Sequence, residues 1–281
     1  MAHPQRPVFA RLHALTGHGP IVTAHRGDST NYPENTLPAF EAAVAMGAPM
    51  QEFDVQVTAC GGLVCMHDAS LDRTTDAAQV LGPGAMVSQL PASRIAELDA
   101  GSWKGSQHTG VRVPTLAQAL EVMLPDSVPM IEHKGGTAEA FVAELKRLGV
   151  VEQVLLQSFD WQFVATARQL CPELSLGLLG PNPRVRQIDD QVRKAATDLD
   201  VDLVHWYAQS LRADEIEQIH ADGRLVCTYT SDDELAWFGA RALRVDAMCT
   251  NDPSRMLKQL ATANIDAGSG SPEATSTRPE R

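Results

Sequence analysis

A chain of 281 residues, 44% of them hydrophobic, is long enough for one large α/β domain with a sizeable core. Its 35 acidic against 23 basic side chains leave a formal net charge of −12, which excludes a nucleic-acid backbone or an anionic bilayer as a bulk partner and means that an anionic ligand would need a cation or a local positive cluster. The five cysteines (Cys60, Cys65, Cys171, Cys227 and Cys249) show no Cys-x-x-Cys spacing, so neither a disulfide framework nor a zinc knuckle is expected.

Residues 1–20 carry no apolar run of the kind that opens a signal peptide, and no stretch has the length of a membrane span. They read as an N-terminal extension of a protein without stable membrane insertion, and a reducing cytoplasm fits. Strand-like apolar runs follow at residues 21–24, 50–57, 130–131, 154–157, 174–179, 203–206, 225–229 and 246–249. Segments of helical spacing lie between most of them, such as Phe141, Leu145 and Leu148. Continuous apolar strands alternating with helices imply a parallel sheet covered on both faces. Eight of them predict an α/β fold of the (β/α)₈, or TIM-barrel, type over residues 21–262.

The count leaves out residues 63–66, which become a hairpin return after the second strand because Gly61-Gly62 supplies a tight turn. Residues from about 69 to 113, rich in Gly, Ser and turn residues, then form a small insertion after strand 2, a place where barrels keep lids and specificity elements. Residues 263–281 have no periodic apolar face and predict a disordered tail.

Barrel enzymes keep their chemistry at the C-terminal ends of the strands. The first strand ends in His25-Arg26-Gly27. His25 exchanges protons near neutral pH, Arg26 offers a planar fork to a phosphate, and Gly27 allows close backbone approach to a ligand; simple packing explains the tripeptide equally well. Glu52 and Asp54 lie two apart, hence on one face of the second strand, and two carboxylates inside a barrel need a cation or a proton between them unless one faces solvent. Hard oxygen donors favour Mg²⁺ or Ca²⁺ over zinc. Glu132 would be a third carboxylate and Lys134 a point charge for phosphate, or the two form a surface ion pair. After the hairpin, His67 supplies a second imidazole, and Asp68 either orients it or caps the next turn.

In order along the chain, His25-Arg26-Gly27, Pro33-Glu34-Asn35-Thr36, Glu52-Phe53-Asp54-Val55, His67-Asp68, Asp72-Arg73-Thr74-Thr75, Pro114-Thr115-Leu116, Ile131-Glu132-His133-Lys134, Ser158-Phe159, Val245-Asp246 and Thr250-Asn251-Asp252-Pro253 resemble the glycerophosphodiester phosphodiesterase family over residues 21–258. The resemblance implies a TIM barrel with an insertion after strand 2, one divalent cation held by Glu52, Asp54 and Glu132, catalytic histidines at His25 and His67, and phosphate contacts from Arg26 and Lys134. It implies a small-molecule glycerophosphodiester as partner, hydrolysed to glycerol 3-phosphate and an alcohol, as in glycerol and lipid metabolism. A lysophospholipase D acting on lipid diesters is the alternative on the same fold, although the insertion's apolar residues, Leu81, Val87, Leu90, Ile95 and Leu98 among them, read more simply as its own packing. A non-catalytic binding module fits less well, because all three carboxylates and both histidines are present. Headgroup and oligomeric state are not encoded legibly.

Two stretches depart from the family pattern. Cys227-Thr228-Tyr229-Thr230 stands where Trp-Thr-x-Asn is usual, which leaves the leaving-group pocket undefined; Trp206 is a candidate for the missing ring and equally a core residue. Cys60-Gly61-Gly62 replaces Lys-Asp-Gly in the hairpin. Of the remaining histidines, only His108 and His205 are placed to reach the pocket.

Overall fold

The computed structural model describes residues 6–183 and 185–268. The parallel strands β1 (Ile21–His25), β2 (Met50–Val57), β4 (Val128–Gly135), β5 (Leu155–Ser158), β6 (Ser175–Gly180), β7 (Leu203–Tyr207), β8 (Leu225–Tyr229) and β9 (Ala247–Thr250) pair in ring order, and β1 joins both β2 and β9 to close the barrel. The short β3 (Leu63–Cys65) lies outside the ring, antiparallel to β2. The expected runs at 50–57 and 225–229 coincide with β2 and β8. The pair at 130–131 lies within the first half of the eight-residue β4: the second half carries Glu132, His133 and Lys134, and an apolar criterion stops where the polar residues begin.

Alternation along each strand sorts the side chains into two cores. Ile21, Met50, Met130, Leu155, Leu203, Leu225, Ala247 and Cys249 fill the lower barrel, and Val8, Phe9 and Leu12 of the helix Pro7–Thr16 pack beneath them. The N-terminal extension therefore stoppers the barrel at the end opposite the strand C-termini. The neighbouring residues Val22, Phe53, Ile131, Leu156, Val204, Trp206, Val226 and Met248 face the helical layer. Trp206 thus points away from the mouth, between inward-facing His205 and Tyr207, with its ring seated where Gly180 has no Cβ. It cannot serve as the missing ring of the pocket.

The insertion is a packed unit in which Val87, Ile95, Leu98 and Val113 bury with Val64, Met66 and Leu71. Asp99 holds its turn together by accepting the backbone N–H groups of Gly101 (2.8 Å), Ser102 (2.8 Å) and Gly110 (2.7 Å). Its Lys104 reaches back to donate to the Ser29 carbonyl at 2.7 Å. The helix Pro253–Gly268 runs into the residues assigned to the tail, the rest of which lies outside the described residues. Among the described residues no helix is long and apolar enough to cross a membrane.

Candidate active site

The handover between β1 and β3 along one edge of β2 builds the site. β1 stops at His25, opposite Glu52, and β3 takes up pairing only at Val55. Asn35, in the left-handed region at φ 57°, fills the gap: its Oδ1 accepts the Asp54 N–H at 3.1 Å and its Nδ2 donates to Asp54 Oδ2 at 2.8 Å. Arg26 also has a left-handed backbone (φ 60°), costing roughly 1–2 kcal/mol. That turn aims its guanidinium inward, where Nη1 donates to Glu34 at 2.8 Å and Nε pairs with Asp54 at 3.0 Å. Gly27 serves a different purpose from the one expected. A Cβ there would come within 2.6 Å of the Ala39 backbone, so the glycine lets the chain pack on the helix Leu37–Ala45 rather than on a ligand.

Glu52, Asp54 and Glu132 all point into the barrel, and each offers one carboxylate oxygen within 4.8 Å of the others. All three are buried. Among the described residues neither Glu52 oxygen has a hydrogen-bond donor, while Lys134 Nζ meets Glu132 Oε1 at 2.6 Å and Asp54 Oδ1 at 3.4 Å. Two like charges about 4 Å apart cost roughly 4 kcal/mol at an effective dielectric constant of about 20, so the trio is held only against neighbouring positive charge. Arg26 and Lys134 neutralise two of the three, and Asp54, which touches both, stays ionised although burial opposes it. Glu52 is left over: burial first, then Asp54 and Glu132, push its carboxyl well above the ordinary glutamate value. Burial and Asp54 raise Glu132 to about 7. A divalent cation fits this donor set: hard oxygens, an uncompensated charge and two orphaned acceptors.

The two histidines are each anchored through Nδ1 to a side-chain oxygen. His25 Nδ1 lies 2.6 Å from Asn251 Oδ1, with Nε2 3.7 Å from Glu52. His67 Nδ1 lies 2.5 Å from Asp68 Oδ1, so Asp68 is placed to orient it. Arg73 forks onto Asp68 (2.5 Å through Nε) and Glu34 (2.8 Å through Nη2), which links the His67 side to Arg26. The Arg73 fork, with the His67 bond, lowers Asp68 to about 2. Burial, then the Arg26 charge, lowers His25 to about 4.

All seven residues singled out from the sequence, His25, Arg26, Glu52, Asp54, His67, Glu132 and Lys134, therefore meet at one end of the barrel. His133 faces outward, stacked on Phe163 at 3.7 Å. His205 is buried beneath the mouth, bonded to Gln157 at 3.0 Å and edge-on to Tyr229, so it does not open onto the pocket. His108 rests against Tyr32. Sequence reasoning gave no role to Glu34, Asn35, Arg73 or Asn251, although each sat inside a quoted motif, and it missed Asp232 entirely. On the side of the departing strand, Tyr229 fills the mouth beside Phe159 and Tyr207, with its hydroxyl donating to the Gly180 carbonyl at 2.9 Å.

Comparison with known proteins supports the barrel fold and shows the family. The sequence pattern of the Glycerophosphoryl diester phosphodiesterase family matches residues 25–255. A glycerophosphodiester phosphodiesterase of Caldanaerobacter subterraneus is 31% identical over 84% of this chain and 96% of the relative, and one from Bacillus subtilis is 30% identical over 83% and 84%. A phosphodiesterase of Oleispira antarctica, solved with the product sn-glycerol-3-phosphate, superposes with a TM-score of 0.77 at 27% identity over 86% of this chain and 97% of that one. A glycerophosphodiester phosphodiesterase of Agrobacterium tumefaciens gives 0.71 at 26% identity over 83% and 97%.

Proposed function

Since the chain belongs to the glycerophosphoryl diester phosphodiesterase family and is an enzyme of that class, a phosphoric diester hydrolase, we propose that it releases glycerol 3-phosphate and an alcohol from soluble glycerophosphodiesters. In this reading Glu52, Asp54 and Glu132 hold one divalent cation, Mg²⁺ or Ca²⁺, Arg26 and Lys134 bind the phosphate, and His25 and His67 move the protons. The observation that carries it is the convergence of two Nδ1-anchored imidazoles and two cations on a buried carboxylate trio with orphaned oxygens.

A phosphodiester resists attack because its own charge repels nucleophiles. Bound at the trio, a divalent cation supplies Lewis acidity and offsets that charge. Arg26 and Lys134 flank the trio and are the groups with N–H donors to spare for non-bridging phosphate oxygens. The substrate's own 2-hydroxyl lies next to the phosphorus. Its attack expels the alcohol and forms a cyclic phosphate, which water opens to glycerol 3-phosphate. One histidine accepts the nucleophile's proton and the other returns a proton to the leaving oxygen, each role worth roughly 10²–10⁴-fold.

A coupled assay for glycerol 3-phosphate, run on glycerophosphocholine with and without chelator, tests this. The expected result is loss of release with chelator and recovery with Mg²⁺ or Ca²⁺; chelator-resistant release would sink the metal reading. Turnover confined to micellar lipid diesters would move the assignment to a lysophospholipase D. Full-rate cleavage of an analogue lacking the 2-hydroxyl would remove the cyclic step.

A further inference from the structure

Asp232, in the loop after β8, takes no part in the proposed catalysis, yet both of its carboxylate oxygens are committed to one neighbour. Oδ1 accepts the Asn251 backbone N–H at 2.7 Å and Oδ2 accepts Asn251 Nδ2 at 2.7 Å, while Thr250 Oγ1 donates to Oδ1 at 3.1 Å. A carboxylate can only accept. The Asn251 amide is therefore fixed with its NH₂ toward Asp232 and its Oδ1 turned away; the flipped amide would set oxygen against oxygen at the same distance. The released Oδ1 meets His25 Nδ1 at 2.6 Å and Ser29 Oγ at 3.0 Å. Because Oδ1 can only accept, His25 Nδ1 must carry a proton, and in the neutral ring Nε2, 3.7 Å from Glu52, therefore carries the lone pair. We propose that Asp232, acting through Asn251, is a positioning residue that fixes His25 as its Nδ1–H tautomer with Nε2 open toward the carboxylate trio. For its catalytic consequence this rests on the reading of His25 as a proton-transfer group.

The chain of bonds defines its own test. Asp232→Asn keeps the shape but lets the amide pair flip: the amide introduced at position 232 can donate to Asn251 Oδ1, which turns Asn251 Nδ2 toward His25 and demands the opposite tautomer. Asp232 is exposed, so the substitution leaves the fold intact. With ¹⁵N-histidine-labelled protein, and the His25 signals identified by their loss in His25→Gln, the native ring gives the Nδ1–H pattern and Asp232→Asn gives a mixed or reversed one. In the coupled assay kcat falls by about 10²-fold while KM stays within about twofold. The double variant Asp232→Asn/Asn251→Asp rebuilds the chain in reverse: the new amide at position 232 donates to the new carboxylate at position 251, which accepts from His25 Nδ1–H. The Nδ1–H pattern and at least tenfold of the lost kcat then return. An unchanged tautomer in Asp232→Asn, or no recovery in the double variant, overturns the proposal. Full activity of His25→Gln would overturn the catalytic reading of His25 instead, and leave the tautomer result standing.

Discussion

On the wall formed by β1, β2 and β4, the inward positions near the mouth are His25, Glu52, Asp54, Glu132 and Lys134; on the wall formed by β5, β7 and β8 they are Gln157, His205 and Tyr229. The first wall stores unbalanced charge and is anchored from outside by Asn35, Glu34, Asp68 and Arg73. The second is neutral and closed by packing: His205 is held uncharged, lowered to about 3 by burial and then by His25, and Tyr229 is tied to the Gly180 carbonyl. Charge repulsion makes the first wall costly without a counter-ion, whereas the second stabilises the barrel whatever binds. Substitutions on the two walls should therefore separate activity from stability.

The largest effect is expected at Glu52→Gln. It removes one ligand charge without changing shape, and activity should fall by about 10³-fold or more, since a bound cation contributes several kcal/mol at about 1.4 kcal/mol per tenfold. The chelated protein should behave in the opposite sense. The folded-state value of Glu52 is raised, so its carboxyl destabilises the fold above the ordinary value of 4.5. In chelator, Glu52→Gln should match the native melting temperature below that pH and exceed it increasingly above. A variant both less active and less stable at neutral pH would break the idea that this wall is electrostatically loaded.

Asp68→Asn comes next. It weakens the hold on His67 Nδ1 and on the Arg73 fork while sparing the trio, so kcat should drop by about 10–10²-fold with metal affinity unchanged. Calorimetric titration of the metal alongside kinetics checks both halves of that statement.

The first wall was legible in the sequence because charged residues inside apolar strands are expensive, and Glu52-x-Asp54 and Glu132-x-Lys134 advertise their face by spacing two. The barrel was legible for a related reason: each strand buried on both sides reads as an apolar run. What escaped is neutral or distant. Trp206 and Tyr229 are both aromatic near strand ends, and only the register of the closed ring decides that one faces the helices and the other the mouth. Gly27 looked like a ligand position until the helix at Ala39 was in place. Asn251 lies 226 residues from His25, and Asp232 joins it from a third segment, so no local pattern could connect them.

The second wall can be broken without touching a charge. A Cβ at Gly180 would stand 2.0 Å from the Trp206 ring, which is fully buried in the helical layer. Gly180→Ala should cost about 1–3 kcal/mol of stability, the usual range for overpacking. At temperatures where the variant is folded, kcat should stay within about twofold of native. A collapse of activity in folded protein would mean that the neutral wall does more than support the mouth.

The smallest effect lies at the far end of the barrel and carries a sign that pH can read. His220 Nε2 sits 2.8 Å from Asp246 Oδ2, which also accepts the Val226 N–H at 2.7 Å, so the pair ties the helix Ala213–Ala221 to the barrel floor. The hydrogen bond to Asp246 raises His220 above its ordinary 6.5 even though partial burial opposes it. A base whose folded value is raised contributes stability that is complete below its unfolded value and is lost as pH rises through the folded one. His220→Gln should therefore cost about 0.5 kcal/mol near pH 5.5, the scale of a half-exposed pair. The cost should shrink through the neutral range, where the neutral ring keeps only its N–H bond and glutamine can replace it. Denaturant midpoints at the two ends of that range measure the difference, and a cost that grows with pH would show that Asp246, not the imidazolium, governs the floor.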